Sequence, residues 1–247
     1  MSIRDANDLT ALRRVGKVVA DTLRLMLRSI EPGMTTRELD QIGEKYFQGH
    51  GARSAPQLTY NFPGATCISV NNEVAHGIPG DRVLKTGDLI NIDVSLELDG
   101  YFADTGFSTC IEPAANELTD LCKASHAILQ QTIHGIKAGN KLNRIGRIIE
   151  NGARERGYTT ILNLAGHGVG SALHEEPFDL VNYYNARDQR LAGRGQVVAI
   201  ETFISTGGRY AHEESDGWTL TTGDGSFVAQ HEHTIVITDG APIILTA

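Results

Sequence analysis

Residues Asn91 to Gly106 read NIDVSLELDGYFADTG. Two strand-like runs flank Asp99-Gly100, a dipeptide that favours a two-residue hairpin turn. With Leu98 paired to Tyr101, Ser95 falls opposite Asp104 and Asp93 opposite Gly106. Side chains alternate faces along a strand, so Asp93, Ser95, Asp104 and Gly106 share one face, and Ile90, Ile92, Val94, Leu96 and Leu98 take the other. The two aspartates become diagonal neighbours with Cβ atoms ~7–8 Å apart or slightly less, close enough for both carboxylates to reach one cation. An aspartate is a poor strand former and costly to bury. A wet sheet face would account for one of them.

Further acids in similar settings weaken that bland reading. Glu201 interrupts VVAIETFIS and Glu232 opens EHTIVIT. Four carboxylates facing one site repel one another and take up protons unless cations lie among them. Two divalent ions balance four such charges, and carboxylate oxygens favour hard ions such as Mn or Fe(II). Histidines need the same weighing. His231 and His233 point opposite to Glu232 in a strand, so the three cannot meet one metal, and Glu232 alone is the candidate. His167, set among Gly166, Gly168 and Gly170 in AGHGVGSALHEEP, sits where glycines let a ligand approach. These glycines do not complete a phosphate loop, and no lysine follows them. TTGDGS near Asp224 reads as a turn rather than a calcium loop.

The chain has 247 residues and a net charge of −8. That length suits one large domain or two halves fused around one core, and the acidic balance argues against nucleic acid or anionic membrane as the main ligand. Cys67, Cys110 and Cys122 form no CxxC pair, which fits a reducing compartment rather than a disulfide framework. No secretory signal or membrane-spanning run is evident, so a soluble cytoplasmic chain is expected. Helical stripes run through Leu12, Val15, Val19, Leu23, Met26 and Ile30, then through Leu39, Ile42 and Tyr46 behind a Thr35/Glu38 capping box. Strands are expected at TCISV and LINIDVSLEL. Helices return with Leu118, Leu121, Ser125, Leu129 and Ile133, and with Leu142, Ile145 and Ile149. YTTILNL, VVAIETFIS and HTIVIT read as the last strands. Ile30–Gly51 aligns with Ile136–Gly157, pairing Gly33 with Gly139 and Gly51 with Gly157. The expectation is one α+β domain over residues 1–247, built of pseudo-repeated halves at roughly 10–112 and 113–247, with a cleft between them.

CISVNNEVAHGIPG, INIDVSL with ADTG, GHGVGSALHEEP, AIETF and QHEHTIVIT occur in that order. Together they resemble the type I methionine aminopeptidases, a family with the pita-bread fold: two pseudo-symmetric halves with a central antiparallel sheet covered by helices. The likeness covers nearly the whole chain. It implies removal of the initiator methionine from nascent polypeptides, with two divalent metal ions (Mn, Fe(II), Co or Zn) as cofactors. Asp93, Asp104, His167, Glu201 and Glu232 match the metal ligands; Asp104 and Glu232 bridge, Asp93 completes one ion, and His167 with Glu201 the other. Glu201 matches a proton shuttle. His76 matches a histidine beside the scissile amide, and His174 one that stabilises the carbonyl oxygen. Cys67, Phe62, Leu173 and Trp218 match the methionine pocket, with Phe62 where many members carry Tyr, Leu173 where many carry an aromatic residue, and IETF in place of the commoner IEPM. A monomer with transient ribosome contact is expected, and the acidic balance adds no membrane and no dedicated nucleic-acid binding. Two rival readings are an X-Pro aminopeptidase or prolidase, and a metal-free binding protein on the same fold. The first usually carries an added N-terminal domain, and the second loses ligands that this chain keeps.

Overall fold

The computed structural model describes residues 1–247. Helix α1 (Ala6–Ser29) starts behind Asp5, whose carboxylate accepts the amides of Asn7 and Asp8, a side-chain cap for otherwise orphaned donors. Its buried face carries Leu12, Val15, Val19, Leu23 and Met26, and Ile30 lies just beyond the helix in extended backbone. Helix α2 (Thr36–Gly49) begins with the expected Thr35/Glu38 capping box. Its apolar stripe is rotated from the expected one: Leu39, Gly43 and Phe47 are buried, while Ile42 and Tyr46 lie at the edge of the face. The cause is close packing, because a Cβ at Gly43 would run into the Met26 side chain. A short helix, α3 (Ala55–Tyr60), has no counterpart in the expected elements.

The hairpin Leu89–Leu98/Tyr101–Cys110 adopts the expected register, with Leu98 facing Tyr101, Ser95 facing Asp104 and Asp93 facing Gly106. Asp99 and Gly100 both have positive φ (54° and 83°), as a type I′ turn requires. Its apolar face, Ile90 through Leu98, packs with Val15, Val19, Met26, Leu39 and Phe47 into one core. In the second half, α4 (Asn116–Gly135) and α5 (Asn143–Glu155) cover the strands Val197–Ser205 and Val228–Val236. Leu121, Ile128, Ile145 and Ile149 meet Val198, Ile200, Ile204 and Ile235 in a second core. In each half the helices cover the apolar sheet face and leave the acidic face to the cleft.

Three antiparallel sheets result. Four strands gather round the hairpin, six round Val197–Ser205, and three small ones (Glu73–Ala75, Ala211–Glu213, Leu220–Thr222) lie apart. YTTILNL yields only Thr159–Thr160 as strand, and the strand expected at HTIVIT runs Val228–Val236. Ala165–Gly168 and Glu175–Val181 are strands that glycine content and charge conceal in the sequence. The two helix–turn–helix units share backbone detail: Gly33 and Gly139 have φ of 99° and 81°, Gly51 and Gly157 of 77° and 80°. Gly33 donates to the Leu84 carbonyl at 2.8 Å and Gly139 to that of Ala192 at 2.9 Å. No helix is long and apolar enough to cross a membrane.

Between the halves, Tyr101–Cys110 runs beside Val228–Val236 without a backbone ladder. Hydroxyls take its place. Thr234 Oγ1 accepts the Asp104 amide and donates to the Asp104 carbonyl, both at 2.8 Å. Ser108 Oγ accepts the Gln230 amide at 2.9 Å and donates to the Gln230 carbonyl at 2.8 Å. Thr105 Oγ1 donates to the Glu232 carbonyl at 2.7 Å. Thr234→Val would strand the buried Asp104 amide, so unfolding free energy should fall by about 1–3 kcal/mol in urea titrations, whereas Thr234→Ser should keep most of it.

Candidate active site

The eleven residues singled out from the sequence all line one cavity of about 300 Å³. Asp93 and Asp104 enter it from the hairpin, and Glu201 and Glu232 from the second sheet, where they are direct cross-strand partners. Like charges directly opposite are unfavourable, so this pairing serves something other than the sheet. His167 comes from Ala165–Gly168, whose approach needs Gly166: a Cβ there would strike the Ala199 carbonyl. One donor atom each from Asp104, His167 and Glu232 lies within 4.8 Å of the other two, a grouping able to hold a metal ion. Asp93 and Glu201 stand in the same cavity outside that tightest group.

Second contacts aim these ligands. His167 Nδ1 lies 3.0 Å from the Gly168 carbonyl, so that nitrogen carries the proton and Nε2, 3.7 Å from Asp104 Oδ2, presents its lone pair. Ser95 Oγ donates to Asp104 at 2.7 Å. Gln230 Nε2 donates to Glu232 Oε2 at 3.1 Å, and Asn91 holds Gln230 through its Oε1 at 2.8 Å. Glu232 Oε1 is buried with no hydrogen-bond partner. An orphaned carboxylate oxygen among acids and a lone-pair imidazole fits a divalent cation.

Electrostatics say the same. Burial raises all four carboxyl groups, with charge repulsion next for three of them: Asp104 and Glu201 act on Asp93, Asp104 acts on Glu201, and Asp104, Glu201 and Asp93 act on Glu232. Asp104 is also raised by burial, with the Ser95 hydroxyl pulling it back. Burial lowers His167 to about 4, and His174 likewise, helped there by His167. Both imidazoles are therefore neutral near pH 7.

His174 and His76 project into the open part of the cavity. His76 holds φ = 56°, a left-handed conformation that a non-glycine residue adopts at some energetic cost. The next residue is tightly held, since a Cβ on Gly77 would meet the Ile68 carbonyl. At the apolar end, Phe62 and Trp218 meet edge to face, 5.2 Å between ring centroids. Cys67 stays a thiol because burial and then the nearby Asp93 charge push its pKa far up. Leu173 is buried against the same space. Two lining residues escaped the sequence reading, Pro56 and Tyr60 on α3. Tyr60 Oη lies 2.7 Å from His174 Nδ1. The only local signal is Asn61, a residue tolerant of the left-handed turn (φ 57°) that ends the helix between Tyr60 and Phe62.

This chain belongs to metallopeptidase family M24, whose profile matches residues 10–239. Its architecture is the pita-bread fold of that family. Over 247 residues it is 47% identical to methionine aminopeptidase 2 of Bacillus subtilis, covering 100% of this chain and 99% of that one. It is 44% identical to methionine aminopeptidase of Staphylococcus epidermidis, covering 100% and 98%. The crystal structure of methionine aminopeptidase from Rickettsia prowazekii superposes with a TM-score of 0.95 at 33% identity, covering 100% of both chains. Prolidase from Pyrococcus furiosus shares the fold at a TM-score of 0.80 and 20% identity, covering 99% of this chain and 65% of that one.

Folded-state carboxyl pKa values above the unfolded value of about 4 add stability that is complete below pH ~4 and is lost as pH rises through the raised values. The metal-free chain should therefore melt at lower temperature at pH 7.5 than at pH 5. Excess Mn(II) should raise Tm by roughly 5–10 °C at pH 7.5 and by less at pH 5, where protons compete for the same oxygens. Scanning fluorimetry with and without chelator checks this; a Tm indifferent to both pH and cation would contradict it.

Proposed function

We propose that this chain hydrolyses the first peptide bond of polypeptides that begin with methionine, releasing that methionine. One observation carries the reading: the Asp104, His167 and Glu232 donors converge within 4.8 Å in a cavity that Phe62, Cys67 and Trp218 also wall. Full-length identity to enzymes named methionine aminopeptidase supports it. A prolidase reading is less favoured, since the prolidase match is one of fold and this chain covers only part of that protein.

Asp93, Asp104, His167, Glu201 and Glu232 would hold two divalent cations in this proposal, offering four carboxylates and one imidazole from the same cavity. Mn, Fe(II), Co or Zn all suit oxygen and imidazole donors. Bound there, cations supply Lewis-acid polarisation of water and of the scissile carbonyl. The protein does the rest. Glu201 accepts a proton from the attacking water and delivers it to the departing amine. His174, neutral, donates to the carbonyl oxygen as charge builds. His76, which lines the same cavity, donates to the scissile amide in this proposal. The thioether lies between Phe62, Trp218, Leu173 and the protonated Cys67, walls without charge and therefore suited to a soft apolar chain. The whole chain acts as one catalytic domain, halves 10–112 and 113–247 closing on one site. It works as a cytoplasmic monomer, on nascent chains, with transient ribosome contact.

The direct test is methionine release from Met-Gly-Gly, with and without chelator, then with single metals restored. No release under any metal would end the proposal. Asp104→Ala should stay folded by circular dichroism yet lose bound metal and at least ~100-fold in kcat/KM, because residues one shell further out already contribute about 10–100-fold. Trp218→Ala should raise KM about ten- to a hundredfold with little change in kcat, as expected for lost apolar contact to the side chain.

A further inference from the structure

Tyr60 ends α3 at the mouth of the cavity, and the left-handed Asn61 turns the chain back so that Phe62 enters the apolar wall. The phenol is 45% exposed, so it is not a core side chain. Its hydroxyl nevertheless lies 2.7 Å from Nδ1 of His174, which belongs to the other half of the chain, and the rings sit 5.5 Å apart. A neutral imidazole carries one proton on two nitrogens, and its other hydrogen bond decides which. Donation to a carbonyl oxygen demands the proton on Nε2. That form requires an acceptor role for Nδ1, hence a donor opposite it. The phenol is such a donor, and burial raises its pKa, so it keeps its proton.

We propose that Tyr60 is a positioning residue: its O–H donates to His174 Nδ1, holding the imidazole in the Nε2–H tautomer and aiming that N–H into the cavity. The inference rests on the aminopeptidase reading given above, in which His174 serves the carbonyl oxygen. Tyr60 touches no reacting atom in this account and acts through His174 alone. No bond is made or broken by it, and its proton stays on the phenol.

A double-mutant cycle tests this on the full chain loaded with Mn(II), using Met-Gly-Gly. Tyr60→Phe keeps the ring and removes the hydroxyl. It should lower kcat about three- to tenfold, the range of one hydrogen bond, and leave KM within about twofold. In a His174→Ala background the same change should have no further effect. Histidine 15N spectra of the chain loaded with diamagnetic Zn(II), with the His174 signals assigned through His174→Ala, should show a single Nε2–H tautomer in the parent and a tautomer mixture in Tyr60→Phe. Three results overturn the proposal: an equal loss in the His174→Ala background, a loss confined to KM, or His174 15N shifts unchanged by Tyr60→Phe. The spectra need no turnover. A parent chain that releases no methionine therefore defeats the aminopeptidase reading, while the tautomer measurement still judges the Tyr60–His174 link.

Discussion

The arrangement depends on a seam of hydroxyls. Tyr101–Cys110 is the edge of its sheet and lies beside Val228–Val236, whose side away from Val197–Ser205 is paired as a ladder only at Ile235 and Val236, with Ile243–Ile244, and the remaining amides and carbonyls buried there need partners. Thr234, Thr105 and Ser108 supply them, with Thr234 and Ser108 each both accepting from and donating to one facing residue. Spacing by a side chain rather than a direct N–H to O=C bond keeps the edges apart. Gly106 fits this geometry: a Cβ there would collide with the Gln230 side chain, which in turn holds Glu232. Seam and acidic cluster are thus one construction: Thr234 bonds the backbone of Asp104, Thr105 that of Glu232, and Ser108 that of Gln230, whose side chain holds Glu232.

That construction stores repulsion. Glu201 and Glu232 are cross-strand partners, Asp104 stands beside them, and burial compounds the charge. A fold that tolerates this must draw its stability elsewhere. It does so through two apolar cores on the far faces of the sheets, one under α1 and α2, the other under α4 and α5. The helices thus hold rigid a face that would otherwise spread its carboxylates apart. Preorganisation of this kind means a cation entering the cluster meets ligands already convergent.

Local rules made the acidic face legible in the sequence. Turn chemistry at Asp99-Gly100 sets the register, and strand parity then sorts Asp93 and Asp104 from their apolar neighbours. The same parity separates Glu232 from His231, which the structure turns toward Ser125 on α4 at 3.0 Å. His167 drew notice only through its glycines; its role came from resemblance, since its strand lacks any periodic signal. Strand Glu175–Val181 was invisible because four of its seven residues are acidic or proline (EEPFDLV). Tyr60 was illegible for a different reason. Its partner is 114 residues away, and nothing in a hexapeptide helix announces a contact across a cleft. The rotated stripe of α2 also follows from tertiary contact, with Gly43 placed against Met26.

The cavity joins the two halves at its mouth as well as at its floor. On the floor, Asp104 belongs to the first half and His167, Glu201 and Glu232 to the second. At the mouth, Tyr60 from the first half bonds His174 from the second. In the wall, Phe62 meets Trp218. A small relative shift of the halves would loosen all three contacts together, since none has slack to absorb it: an edge-to-face ring pair, a short hydrogen bond and a convergent donor set each weaken steeply with displacement. Ligand grouping and pocket shape are therefore coupled properties. A substitution in the seam, which touches the backbone of Asp104 or Glu232 and not their carboxylates, acts on both through the same displacement.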